Sequence, residues 1–271
     1  MHVQAHNQAC DAGTVHPALS LRNVGKCYGS DASEIWAVRD FTLDVAPGEF
    51  VSIIGPSGCG KSTLFNIIGG FFRRYSGEVV VDGLAGSQVR KSIGSVFQEE
   101  STFPWRTALG NVEFPLEAAG VAKAERRARA TELLALVGLA GFENHYPAEM
   151  SGGMKQRVSI ARTLAARPKI LLMDEPFASL DEQTRILLGD KVLQIQQSLQ
   201  QTTMIITHNI TEAVQLSDRV VIMTYRPGTI KRIVDVDLPR PRSSEVIGSE
   251  QFGRLVGSIW SELKVEASRG M

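Results

Sequence analysis

The octapeptide Gly55-Pro56-Ser57-Gly58-Cys59-Gly60-Lys61-Ser62 lies between an apolar run, Phe50–Ile54, and a helical pattern, Lys61–Gly69. It fits GxxxxGK[ST], and its place at the handover from strand to helix is the one that pattern requires. Glycines at these spacings let successive backbone N–H groups curl around an anion. The start of the following helix adds the positive end of its dipole. In such a loop the lysine, Lys61, reaches the β- and γ-phosphates of a nucleotide, and the Ser62 hydroxyl ligates Mg²⁺. Thr63 follows on the same helix start. Cys59 faces that helix start too, where its pKa could fall, or it is simply a small residue filling the loop.

The rest of the chain is organised around this unit. Ala18–Val24, Phe41–Val45 and Phe50–Ile54 read as strands, with a Pro47-Gly48 turn before the third. Glu78–Asp82, Ile93–Phe97, Lys169–Met173, Thr203–Thr207, Arg219–Thr224 and Thr229–Val236 read as further strands, and Asp181–Gln200 as a helix. Strands alternating with helices imply an α/β sheet covered on both faces. Thr107–Arg167 interrupts the alternation: it holds no convincing strand and includes an amphipathic helix over Ala122–Val137, so it reads as an inserted helical subdomain. Residues 1–17 show no period and read as a loose arm. Three of the five histidines fall there, at spacings that match no metal-ligand pattern. Beyond residue 240 a Pro/Arg/Ser stretch leads to a short helix near Phe252–Leu263.

Composition excludes several classes. Lys plus Arg and Asp plus Glu are 29 each, so the net charge is zero, which argues against a basic grip on nucleic acid. Three cysteines without a CxxC or Cys/His spacing point to a reducing compartment. No run reaches the roughly 18 apolar residues of a membrane span, and the N-terminus lacks the pattern of a secretory signal. The expectation is a cytosolic, soluble chain that can dock onto a membrane protein.

Two more constellations carry chemistry. Ile170-Leu-Leu-Met173 is an apolar strand ending in Asp174 and Glu175. Asp174 at the strand end suits a hold on Mg²⁺, and Glu175 one residue on can face a γ-phosphate and polarise a water. Ser151-Gly152-Gly153 precedes the helical run Arg157–Arg167, with Ser151 as a candidate N-cap. This is a second helix start suited to an anion.

These features, with Met173-Asp174-Glu175-Pro176, Ser179-Leu180-Asp181 and Thr207-His208 in order, resemble the nucleotide-binding subunit of ABC transporters over roughly Leu19 to Asp237. The resemblance implies a P-loop NTPase core with a mixed sheet flanked by helices, an antiparallel β subdomain and the inserted helical subdomain, about 105–167, within an ATPase domain at 18–240. It also implies roles for single residues. Tyr28 stacks on adenine, Gln98 touches Mg²⁺ and the transporter, and Glu175 is the catalytic base. Asp181 lies at a dimer interface, and His208 faces the γ-phosphate. Ser151, Gly152 and Gly153 bind the γ-phosphate held by a second copy of the chain, in a head-to-tail dimer closed by ATP. Met150 and Met154 stand where the family consensus has Leu and Gln, outside the Ser-Gly-Gly core.

Phe103-Pro-Trp105, Tyr146-Pro-Ala-Glu, Arg226-Pro-Gly and Leu238-Pro-Arg-Pro-Arg242 are similar to the nitrate/sulfonate/taurine importer branch. That similarity implies an integral-membrane permease, a periplasmic or lipid-anchored solute-binding protein, a small anionic solute and a place at the inner face of the cell membrane. Phe103 and Trp105 are either docking aromatics or core of the helical subdomain. The alternative is a free-standing ABC ATPase uncoupled from transport. Cassettes acting on DNA carry a long coiled-coil insertion, which this sequence lacks. A GTP switch needs an NKxD-type guanine reader, which it also lacks.

Overall fold

The computed structural model describes residues 16–29, 34–98, 101–178, 180–240, 242 and 244–270, with only the backbone of Ser87 and Ser244. The proposed arm therefore lies outside the described residues except for His16 and Pro17, as do Glu99 and Ser179.

In chain order the elements are β1 (Leu19–Tyr28), β2 (Ile35–Val45), β3 (Phe50–Ile54), α1 (Lys61–Ile68), β4 (Ser76–Val81), β5 (Leu84–Ala85), α2 (Val89–Ser92) and β6 (Ile93–Val96). Next come α3 (Ala108–Ala118), α4 (Lys123–Leu136), α5 (Gly152–Ala165), β7 (Ile170–Asp174), α6 (Glu182–Leu199) and β8 (Thr202–Ile206). The last are α7 (Ile210–Leu216), β9 (Arg219–Met223), β10 (Ile230–Asp235) and α8 (Glu250–Ser268).

Two sheets form. A six-stranded sheet runs β10-β9-β3-β8-β7-β6, parallel except where β10 pairs antiparallel with β9. A four-stranded antiparallel sheet runs β2-β1-β4-β5. The central strands of the larger sheet are buried along their whole length: all five residues of β3 and of β8 are. That is why they read as continuous apolar runs rather than alternating ones. In β2 the exposed positions alternate with buried Phe41, Leu43 and Val45, so one face of the smaller sheet meets the core and the other meets water.

The core has three parts. Val51, Ile53, Leu64 and Phe65 join Leu19, Phe41 and Val81, locking the antiparallel sheet over β3 and α1. Val112, Leu134, Val158 and Leu164 join α3, α4 and α5 into the helical block and connect it to Met173 and Phe177. Phe252 and Ile259 seat α8 on Val220, Ile222 and Val234. This last contact corrects the expectation of a short terminal helix. Each buried residue lies on one face of a 19-residue helix, and Glu266 near its end is buried, accepting from the Tyr225 N–H and pairing with Lys231. The charge of Glu266, which lies past the apolar stretch, is partnered only in three dimensions.

Candidate nucleotide site

Strand register assembles the site. Val96 stands opposite Met173, Asp174 opposite Ile206, and Ile53 opposite Ile206. Past the carboxyl ends of these parallel strands, Gly55, Gln98, Glu175 and His208 therefore emerge side by side, where open α/β sheets bind ligands. The Glu175 N–H donates to Ile206 O and the Thr207 N–H to Ile53 O, extending the ladder to the start of each loop.

The P-loop is held in a conformation that its glycines permit. Gly60 has φ 107° and ψ 8° and caps α1, and a Cβ there would stand 2.4 Å from the Ala37 carbonyl oxygen. Cys59 is fully buried, and burial pushes its thiol up, so of the two readings the small residue filling the loop is the one that fits. Pro56 is half-buried, and Ser57, Gly58 and Ser62 are exposed. Lys61 is 8% exposed, and its ammonium donates to Gly55 O at 2.8 Å and Pro56 O at 3.0 Å. Arg226, on the β9–β10 turn, donates from Nε to Gly58 O at 3.0 Å and braces the loop from outside. The sequence marked Arg226 only as part of a branch signature, because nothing local ties it to residue 58.

Asp174 ends β7, and burial together with the neighbouring Glu175 raises it to about 6, opposed by Lys61. Glu175 has φ 42°, a strained turn for a side chain of this kind, and its Oε2 lies 3.1 Å from His208 Nδ1. Gln98 is exposed beyond β6. Tyr28, at the end of β1, is 42% exposed, its hydroxyl lies 3.3 Å from Thr63 Oγ1, and the Lys26 ammonium sits 5.3 Å from its ring centroid.

The second anion-suited helix start is a separate place. Ser151 caps α5, accepting from the Met154 N–H at 3.3 Å. A cavity of about 340 Å³ beside it is lined by Ser151, Gly153, Arg157, Thr184 and Leu188, with no P-loop residue. Asp181 caps α6, accepting from the Thr184 N–H and hydroxyl, and these bonds hold its carboxyl below the usual range. So the structure groups Tyr28, the P-loop, Asp174, Glu175, Gln98 and His208 at the carboxyl end of the sheet, while Ser151 and Gly153 line a separate cavity and Asp181 bonds to Thr184, which lines that cavity too. Phe103 is half-buried and stacks on Trp105, which is 72% exposed, so the second aromatic is no core residue.

A glycine-rich loop from strand to helix, a lysine, and two carboxylates at the end of a parallel strand one place removed, across β8, define a P-loop ATPase. The family model described as ABC transporter matches residues 38–178. Over 241 residues the chain is 48% identical to an uncharacterized ABC transporter ATP-binding protein of Methanocaldococcus jannaschii, covering 89% of this chain and 90% of that one. It is 44% identical over 228 residues to the aliphatic sulfonates import ATP-binding protein SsuB 1 of Xanthomonas axonopodis pv. citri, covering 84% and 89%. It is 42% identical over 221 residues to the nitrate import ATP-binding protein NrtD of Synechocystis sp., covering 82% and 83%. Among solved structures, the dimeric ATP-binding cassette MJ0796 in a post-hydrolysis state bound to ADP and Pi superposes with a TM-score of 0.71 at 36% identity, covering 82% of this chain and all of that one. The chain belongs to the ATP-binding proteins of ABC transporters and is an ATPase. Among its described residues no helix is long and apolar enough to cross a membrane.

Proposed function

We propose that this chain powers uptake of a small anionic solute (nitrate, a sulfonate, taurine or similar) through a separate membrane permease supplied by a solute-binding protein. The observation that carries the ATP-driven part is the Glu175–His208 pair at 3.1 Å beside the P-loop. Glu175 takes a proton from the attacking water, and His208 faces the γ-phosphate and holds Glu175 in place. The P-loop backbone from Gly55 to Thr63 binds the phosphates, and Lys61 turns from its own loop carbonyls toward them. Tyr28 receives the adenine. Gln98, next to the exposed Phe97, links the site to the permease, and the exposed Trp105 supports a docking surface there.

Ser62, Asp174 and Gln98 offer only oxygen donors, and Asp174 is a crowded carboxylate raised to about 6, so the donor set suits a hard cation. Mg²⁺ bound there would neutralise charge on the phosphate oxygens. Among the described residues no group of three or more His, Cys, Asp and Glu side chains is placed to hold a metal, which fits an ion completed by phosphates and water.

Ser151, Gly152, Gly153 and Asp181 complete the site of a second copy in a head-to-tail dimer. The dimeric cassette with which this chain superposes supports that reading, as does the separation of the two anion-suited helix starts. ATP then holds two copies together, and its hydrolysis removes the shared γ-phosphate contact and releases them. The identities to sulfonate and nitrate import proteins support the solute class. Co-purification with the permease and import of labelled sulfonate or nitrate into vesicles test the reading. ATP hydrolysis without association with any permease overturns the transport part.

A further inference from the structure

α7 carries one residue that the functional reading does not use. Glu212 is only 6% exposed, while its neighbours Ala213, Val214 and Leu216 are fully buried apolar residues of the third core cluster and the core beside it. A buried acid needs a reason, because an unpaired buried polar atom costs free energy. Its Oε2 accepts from the Thr207 hydroxyl at 3.2 Å. That hydroxyl oxygen accepts from the Asn209 N–H at 3.0 Å, and Asn209 Oδ1 accepts from the Glu212 N–H at 3.1 Å. The three bonds close a ring through the residues on either side of His208. His208 itself points out of the ring toward Glu175.

α6 packs against α7, with Gln215 donating to Asp190 between them at 3.0 Å. Glu212 Oε1 is buried without a hydrogen-bond partner, and so is the Nε of Arg185. Burial pushes Glu212 up to about 7; the Thr207 hydrogen bond and then the charge of Arg185 oppose that rise, and Glu175 adds to it. Arg185 is anchored by donating to Leu180 O at 2.9 Å, in the turn that leads into Asp181 and α6, and by an ion pair with Glu182 at 3.5 Å.

We propose that Glu212 is a positioning residue, which fixes the backbone around His208 through Thr207 and Asn209 and couples it through Arg185 to the Leu180–Asp181 turn. The proposal rests on the reading of His208 as the residue that faces the γ-phosphate. The ring restrains the backbone on both sides of the histidine, so the imidazole is aimed before nucleotide arrives. The Arg185 link makes that aim sensitive to the turn, which the proposed dimer places against the second copy.

The test is steady-state ATP hydrolysis by the full chain and its variants, with His208→Ala as reference. Thr207→Val removes the hydroxyl, and the expected result is a kcat about tenfold lower with KM for ATP within about twofold. Thr207→Ser restores most of that loss, because it keeps the hydroxyl. Glu212→Gln keeps an acceptor for Thr207 but loses the charge, so kcat falls about fivefold, and Arg185→Gln matches it. The double variant is no slower than either single one, since both act on His208 through the same Glu212 carboxylate. The proposal is overturned if Glu212→Gln keeps kcat within about twofold of wild type, if Thr207→Ser is as slow as Thr207→Val, or if the Arg185 and Glu212 losses multiply. Glu212→Gln is nearly isosteric and carries the test if Thr207→Val does not fold. Loss of hydrolysis in His208→Ala alone, with Thr207→Val and Glu212→Gln active, overturns the positioning role and leaves the reading of His208 standing. Full hydrolysis by His208→Ala overturns both.

Discussion

Gly60→Ala should damage the P-loop far more than a glycine-to-alanine change in an ordinary turn. At φ 107° an L-residue is strained, at a cost of roughly 1–3 kcal/mol. The added Cβ would also stand 2.4 Å from Ala37 O and 2.9 Å from Val38 Cγ2. Neither neighbour can step aside cheaply. Ala37 is main chain in β2, its carbonyl accepts from the Gly228 N–H, and Val38 is fully buried. Forcing such a contact apart adds about 1–3 kcal/mol. The sum, roughly 2–6 kcal/mol, is a large part of the 5–15 kcal/mol by which a domain is usually stable. Gly83→Ala is the control: φ is 76°, and a Cβ there meets nothing within 4 Å, so only strain applies. The assay is denaturant unfolding of both variants beside wild type, followed by titration with a fluorescent ATP analogue. The expected result is a loss at Gly60→Ala at least about 1 kcal/mol greater than at Gly83→Ala, with nucleotide affinity lost in Gly60→Ala only. Equal losses in the two variants would refute the argument that the β2 backbone confines the loop.

Glu175→Gln should retain ATP binding and lower turnover by at least about a hundredfold, trapping an ATP-bound dimer whose mass light scattering reads. Lys61→Ala should weaken both ATP binding and hydrolysis, measured by titration and phosphate release. A mixture of Lys61→Ala and Ser151→Arg chains should recover hydrolysis that neither shows alone, because a head-to-tail heterodimer contains one undamaged site; heterodimers that form without recovery speak against the shared site. Glu212→Gln should be more stable than wild type at neutral and alkaline pH. The folded carboxyl is raised from 4.5 to about 7, so its favourable contribution is complete below pH 4.5 and is lost as pH rises through 7. Denaturation across pH 4 to 9 should show the advantage of glutamine growing over that window, toward a ceiling of about 3 kcal/mol.

Much of the site was legible because its parts are local. A P-loop needs its glycines, lysine and serine within eight residues, and Asp174-Glu175 is marked by the apolar strand it ends. Ser151 and Asp181 cap helices by bonding to N–H groups three residues on, a spacing visible in any sequence. Singling out His208 as a candidate needed the motif order of a family, since a lone histidine after a strand carries no signal of its own.

What the tertiary structure decided is everything that depends on pairing between distant residues. β2 begins at Ile35, ahead of the expected Phe41, because Trp36 and Ile35 pair with Cys27 and Tyr28 of β1 rather than through any alternation of their own. α8 extends past its legible apolar stretch because Glu266 finds Lys231 and the Tyr225 N–H. Glu212 carries no local signal in the sequence and is buried only because α7 packs on the sheet. By itself the sequence marked the candidate groups for the chemistry, since local spacing sets backbone geometry and donor type. The fold alone brought Gly55, Gln98, Glu175 and His208 side by side, because the register of four parallel strands is set by hydrogen bonds between segments up to about 150 residues apart.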